Sequence, residues 1–478
     1  MNRKIIFLAF ILIAGFMTGN GKDMEIFNGW PQIYDGGHND TAWGIAIDSY
    51  GNVIVTGLSY DGSTYNFHTI KYDSNGKEIW NATYDSGIED QATDVAIDSE
   101  DSIIVVGFKG IMEDTLPEGC YHVIKYDSNG KEIWNVSYKI GKLSFPIGVA
   151  VDAKDNIIVT GVRLKYGFGG IELPCWTIKL DKNGEQIWNE TFQIGAQDEG
   201  HGVAIDSKGD IIIAGYTSGY SSFSCFIVKY DGNGNETWAI KYGKYCMASD
   251  VAIDSKGNIV IVGSNFSKGY YKSDYYIAKL NEHGNILWTK SFDSGGNDLA
   301  YAVAIDSYDN IIVGGVADDK PCIVMYDEDR EQKMIKMPEI KGGIMDIAFA
   351  NGAIYTAGWI ERENLDYYIA KYVDTTPPLI SIEKPKENCL YIANREIMAV
   401  GHTIIIGKIN IETIAEDESG IKKIEFYIDN DLKAIDYEMP YEWLWNEIAM
   451  GKHEIKVIAY DSTDTIAMKK MEVMIFNI

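Results

Sequence analysis

One segment recurs along this chain at nearly constant spacing, and it restricts the fold more than any other feature. It reads IAIDSYGNVIVTG from Ile45, VAIDSEDSIIVVG from Val95, VAVDAKDNIIVTG from Val149 and VAIDSKGDIIIAG from Val203. It continues as VAIDSKGNIVIVG from Val251 and VAIDSYDNIIVGG from Val303, with a degraded seventh copy, IAFANGAIYTAG, from Ile347. The alanines Ala46, Ala96, Ala150, Ala204, Ala252, Ala304 and Ala348 are separated by 50, 54, 54, 48, 52 and 44 residues. Self-similarity at that period marks one supersecondary unit used repeatedly.

Each unit reads as four short strands. VAID is followed by a tight turn and then a β-branched run such as NIIVTG. A variable loop leads to a third strand, HVIKYD, and an Asn-Gly hairpin turn leads to a fourth, EIWNVSY. The phrase IKYDSNGKEIWN, which joins strands three and four, occurs twice letter for letter, from Ile70 and from Ile124. No segment has a convincing helical apolar period. Four antiparallel strands every fifty residues predict a β-propeller with seven blades. The fourth-strand Trp recurs at Trp80, Trp134, Trp188, Trp238 and Trp288, with Met334 in the sixth unit, and the seventh unit lacks a fourth strand. NGWPQIYDGG, from Asn28, matches EIWNATYDSG, from Glu78, and Trp30 precedes Ala46 by 16 residues as Trp80 precedes Ala96. The N-terminal strand is therefore expected to complete blade seven and remove the open edges.

YDGGHNDTAWGIAIDSYGNVIVTGLS and its copies resemble the SBBP-type seven-bladed β-propeller repeat of prokaryotic exported and cell-surface proteins. The resemblance covers roughly residues 28–374 and implies fold and location, not activity. Beyond a proline-bearing linker at 375–385, the phrases DTTPP, DESGIKKIEFYID and GKHEIKVIAYDSTD resemble bacterial immunoglobulin-like domains, which implies a β-sandwich over 386–478 acting as spacer or adhesion module. The expected order is a signal segment at 1–23, a propeller at 24–374, the linker, and the sandwich. Arg3 and Lys4 precede the apolar run Ile5 to Met17, which suits an export signal, with an uncleaved anchor as the alternative. No later stretch is long and apolar enough to span a bilayer, and the expected location is extracellular or on the cell surface.

A formal charge of -28 argues against a nucleic-acid partner. The repeated Asp48, Asp98, Asp152, Asp206, Asp254 and Asp306 are read as turn caps paired with strand-three lysines, rather than as a cation ring. No cofactor is expected, and structural calcium finds no support in motif spacing. No G-x-S-x-G, H-E-x-x-H or P-loop occurs.

The variable loops between strands two and three are long and aromatic, and they share a face with the connections between units. Tyr60, Tyr65, Tyr166, Phe168, Tyr220, Tyr270, Tyr271 and Trp359 are the candidates for gripping a surface glycan or a protein partner; the alternative is that they pack their own loops. The leading expectation is an exported non-catalytic binding protein. The alternative is a secreted carbohydrate-active lyase or hydrolase on the same face, with Glu113, Asp114, Glu172 and Asp274 as loop carboxylates without diagnostic spacing. Cys225–Cys246 is the expected disulfide, with Cys120–Cys175 a second candidate. Sequons at Asn81, Asn135 and Asn189 fall on the outer strand, where glycosylation is plausible.

Overall fold

The computed structural model describes residues 24–478 apart from 114–115, 140, 168–169, 220–221, 268, 270–271, 418–419 and 464. The signal segment expected at 1–23 lies outside these. Among the described residues every regular element is a strand.

The repeat units form seven consecutive antiparallel sheets. The first runs Asp40–Ile47, Val53–Tyr60, Tyr65–Tyr72 and Glu78–Tyr84, in that spatial order, and the next five repeat the plan. The second strands open with a buried, mostly β-branched apolar run, while the fourth mix exposed and half-buried residues, so each sheet is buried inward and wet at its outer edge. Seven apolar clusters fill seven sheet-to-sheet interfaces. Phe67, Val95 and Ile124 lie between sheets one and two, and Ile45, Val55, Tyr355 and Tyr367 lie between sheet seven and sheet one. The sheets thus succeed one another as propeller blades do, with the last packed on the first.

Sheet seven takes its outer strand from the N-terminus. Gln32–Tyr34 pairs antiparallel with Leu365–Asp374, and Met24–Ile26 extends the same edge, Met24 opposite Asp374. Trp30 is buried against Tyr72 and Tyr355.

The twice-repeated phrase has a structural explanation. Asp127 accepts bonds from the backbone N–H groups of Asn129 and Lys131, and Gly130 takes φ +83° in the turn. A Cβ at Gly130 would lie 2.6 Å from the Trp80 ring of the preceding sheet, so glycine serves both the turn and the docking. Trp80 Nε1 and Lys71 Nζ both donate to the Ser128 carbonyl. Trp30 Nε1 and Lys371 Nζ repeat the arrangement on Ser74, so the closing seam copies the others.

The repeated aspartates cap turns. Asp48 accepts from the N–H groups of Tyr50 and Asn52 and pairs with Lys71 at 2.8 Å; Asp98, Asp152, Asp206 and Asp254 pair equivalently. Burial, the largest single effect, would raise these carboxyls, but the lysine bond and the turn's N–H bonds together outweigh it and hold them below the usual range. Sheet six has Met325 and Met334 where the others have Lys and Trp, and both are buried.

Residues from 379 onward form two packed sheets around Ile405, Phe426, Trp445 and Val457. The expected linker at 375–385 is shorter than its prolines suggest. Leu379–Lys384 is already an edge strand paired with Ile409–Glu416. The Thr463 hydroxyl donates to the Asp374 carbonyl at 2.8 Å, tying the sandwich to the last strand of sheet seven.

Candidate functional site

The first strand of each sheet carries a β-bulge at the same place. The pairing register skips Trp43, Thr93, Ile147, His201, Ser249, Tyr301 and Met345 in the seven sheets. A bulge re-aims the unpaired side chain and sharpens the local twist. All seven point into one cavity of about 250 Å³. A second chamber of about 500 Å³ shares six of them and is completed by Gln91, Tyr216, Met247, Phe266, Asn297 and Leu299. Phe266 and Asn297 belong to the connections that carry the variable loops, so this chamber lies toward the loop face.

The residue after the bulge is Gly44, Asp94, Gly148, Gly202, Asp250, Ala302 or Asp346. The small residues are needed because the strands converge: a Cβ at Gly44 would come within 2.8 Å of the Asp94 backbone. Each of the three aspartates spans a seam. Asp94 accepts from the N–H of Val149 at 2.7 Å, Asp250 from Val303 at 2.9 Å, and Asp346 from Ile45 at 2.7 Å. Each also accepts from the N–H of the residue after it. Burial pushes Asp94 and Asp250 up to about 7. Asp346 is raised by burial and then by the other two carboxyls. Among the described residues no Lys or Arg lines either chamber, so the described wall is neutral to anionic and disfavours an anionic ligand. Its wall offers aromatic faces (Trp43, Tyr216, Phe266, Tyr301) beside a few polar groups, which is the make-up of a small-molecule or glycan pocket. His201 Nε2 lies 3.6 Å from Glu199, and burial of Glu199 is outweighed by bonds from His201 and Tyr216 that lower its pKa.

Three of the eight loop aromatics have described side chains, and these follow the alternative reading. Tyr60 and Tyr65 sit opposite each other at the ends of paired strands, ring centroids 5.0 Å apart, with His38 against Tyr60. Trp359 lies opposite Gly343 of its own sheet and closes over it. These three pack their own hairpins and do not line the chambers. Phe168, Tyr220, Tyr270, Tyr271 and the side chain of Tyr166 lie outside the described residues, as do the side chains of Glu113 and Asp114. Glu172 is engaged with Gln193 and Lys165.

Sequence reasoning missed the bulged residues, although a signal was present. Upstream of the near-verbatim VAID element, the position two before its Ala reads only Gly, Asp or Ala, while the one before that reads Trp, Thr, Ile, His, Ser, Tyr and Met. A small-residue column next to a freely varying one marks a close backbone approach beside a side chain the scaffold leaves free.

Cys225 and Cys246 are bridged, with Cα atoms 5.4 Å apart. Cys120 and Cys175 are not joined: the Cys175 sulfur lies 3.6 Å from the Thr160 hydroxyl of its own sheet and faces Gly200 of the next, while Cys120 sits beside Ser137 of its own sheet. Asn81, Asn135 and Asn189 are exposed on outer strands. His68 and His122 bond Thr83 and Ser137 and stack on Tyr34 and Tyr84, and burial depresses them to about 4 and about 3.

Residues 400–457 match the bacterial Ig domain family. A stretch covering 20% of the chain is 28% identical to a WD repeat-containing protein of Acanthamoeba polyphaga mimivirus, 9% of which it covers. Similar solved structures include the extracellular domain of a hybrid two-component system protein from B. thetaiotaomicron (13% identity, TM-score 0.44, 95% of this chain and 57% of that one). Another is PorZ, a surface component of the type-IX secretion system of Porphyromonas gingivalis (12% identity, TM-score 0.44, 89% of this chain and 58% of that one). The chain therefore spans less than two thirds of each of these relatives.

Proposed function

We propose that this chain is an exported, non-catalytic cell-surface protein: a seven-bladed propeller closed by its N-terminal strands, with the sandwich as spacer. Its ligand enters the chamber at the loop face, and the ligand is a neutral or cationic group on a surface glycan or a protein partner. The observation that carries this reading is the set of seven bulged side chains, different in every repeat, converging on one cavity. Aromatic walls stack on sugar rings or apolar side chains, and the described lining offers no cation to pair with anionic ligands such as uronate-rich chains.

The test is retention and turnover of a panel of neutral, basic and acidic polysaccharides by the purified chain. Retention of a neutral or basic member, lost in Trp43→Ala/Tyr301→Ala, supports the reading. Turnover of any member, or retention unaffected by that double variant, overturns it.

A further inference from the structure

A second constellation lies on the closing seam, away from the chamber. Asp35 follows the N-terminal outer strand, Asp40 opens the first strand of sheet one, and Asp366 lies in the third strand of sheet seven. One carboxylate oxygen from each falls within 4.8 Å of the other two. Asp40 and Asp366 are fully buried, and in each the Oδ1 atom has no hydrogen-bond partner. The other oxygen of Asp40 accepts from the Gly36 N–H at 2.6 Å and lies beside Ser59. Among the described residues the other oxygen of Asp366 meets only Arg362 Nη1, at 3.4 Å, from a side chain that is half in solvent. Asp35 accepts from the Gly37 N–H at 2.8 Å. Three carboxyls face one loosely held guanidinium, and two of them bury an oxygen that no described donor reaches, an arrangement that is costly unless a cation or a proton neutralises it.

The repeat supplies an internal comparison. At the seven seams, the three positions are aspartate together only here and at Asp274, Asp293 and Asp298. The strand-three position elsewhere is Asn66, Cys120, Pro174, Ser224 or Lys320. At the second trio both oxygens of Asp298 are already taken by Ser294, so it lacks the orphaned oxygens of the first.

We propose that Asp35, Asp40 and Asp366 bind a divalent cation of calcium type that fastens the N-terminal strand and sheet seven to sheet one. Only oxygen donors are present, which selects a hard cation. Three oxygens spread evenly at no more than 4.8 Å from one another place a central ion at most about 2.8 Å from each, a span that accommodates the 2.3–2.6 Å of calcium–oxygen bonds.

The test uses the full chain freed of metal with EDTA and then titrated with calcium chloride, followed by calorimetry and thermal melting. The parent is expected to take up calcium and to melt higher with it. Asp366→Asn and Asp35→Asn are expected each to bind one ion fewer per chain and to lose that rise. In EDTA, Asp366→Asn should melt no lower than the parent, because it relieves carboxylate repulsion and keeps an amide oxygen to accept from Arg362. Asp35 is exposed, so its variant reports on binding without threatening the fold. A parent that melts identically in calcium and EDTA, or variants with undiminished calcium uptake, overturns the assignment.

Discussion

Trp30 offers the sharpest test of how the ring closes. It is the fourth-strand tryptophan of a sheet whose other three strands come from the far end of the repeats, and it is only 7% exposed. Its ring contacts Tyr72 of sheet one and Tyr355 of sheet seven edge-on, at centroid distances of 6.0 and 6.4 Å. The Nε1 bond to Ser74 is 3.4 Å long and contributes little. Truncating a buried tryptophan to alanine costs about 3–5 kcal/mol through lost transfer and an unfilled cavity. For a ring of roughly 350 residues the unfolding entropy is about 0.7 kcal/mol per kelvin, which turns that loss into a fall of about 4–7 °C in melting temperature. Trp80→Ala is the control: it holds the same repeat position but is half-buried, and it joins sheets already adjacent in the chain. It should cost less than Trp30→Ala and leave the N-terminal segment protected. Differential scanning calorimetry combined with limited proteolysis reads both effects. If Trp30→Ala melts within a degree of the parent, or loses less than Trp80→Ala, the seam is not held as described.

Other expectations follow from the same geometry. Lys125→Met strands Asp98 as a buried carboxylate and should cost about 3–5 kcal/mol. Lys371→Met strands no carboxylate among the described residues, and chemical denaturation should find a loss below about 1 kcal/mol, since burial already lowers that lysine's pKa. Asp94 and Asp250 bind a proton more tightly folded than unfolded, so their contribution is fully present below about pH 4 and declines as pH rises toward about 7. Asp250→Asn should flatten the fall in melting temperature between pH 5 and 7.5 (roughly the window those two pKa values set), and an unchanged slope would contradict the shift. Non-reducing peptide mapping should find Cys225 linked to Cys246, with Cys120, Cys175, Cys322 and Cys389 alkylated only after unfolding.

The blade plan was legible because its determinants are local and repeated. Asp48 and Lys71 announce a capped turn and its cation, Gly130 announces a positive-φ turn, and the absent seventh partner of Trp80 points to Trp30. What remained hidden depended on register or direction. A bulge adds one residue, so strict alternation along TAWGIAI gives no sign that Trp43 faces the cavity. The three-residue strand Met24–Ile26 is too short to show a pattern, and the prolines before Leu379 conceal an edge strand whose partner is some thirty residues away. Cysteine spacing could not tell that the Cys175 thiol turns toward Gly200 rather than toward Cys120. Loop aromatics such as Tyr60 and Tyr65 advertise exposure by composition, yet they satisfy one another.

The claim that the ligand enters among the bulged residues is tested most directly by filling the chamber while sparing the loops. Ser249 is a bulged residue whose side chain borders both cavities, so Ser249→Trp adds bulk into open space rather than into a packed core. Binding of a ligand identified from the panel should be measured by calorimetry for Ser249→Trp and for Tyr60→Ala/Tyr65→Ala, with melting curves alongside. The account predicts that Ser249→Trp melts like the parent and no longer binds, whereas the loop variant binds as the parent does. Full binding by Ser249→Trp together with loss of binding in the loop variant would contradict it.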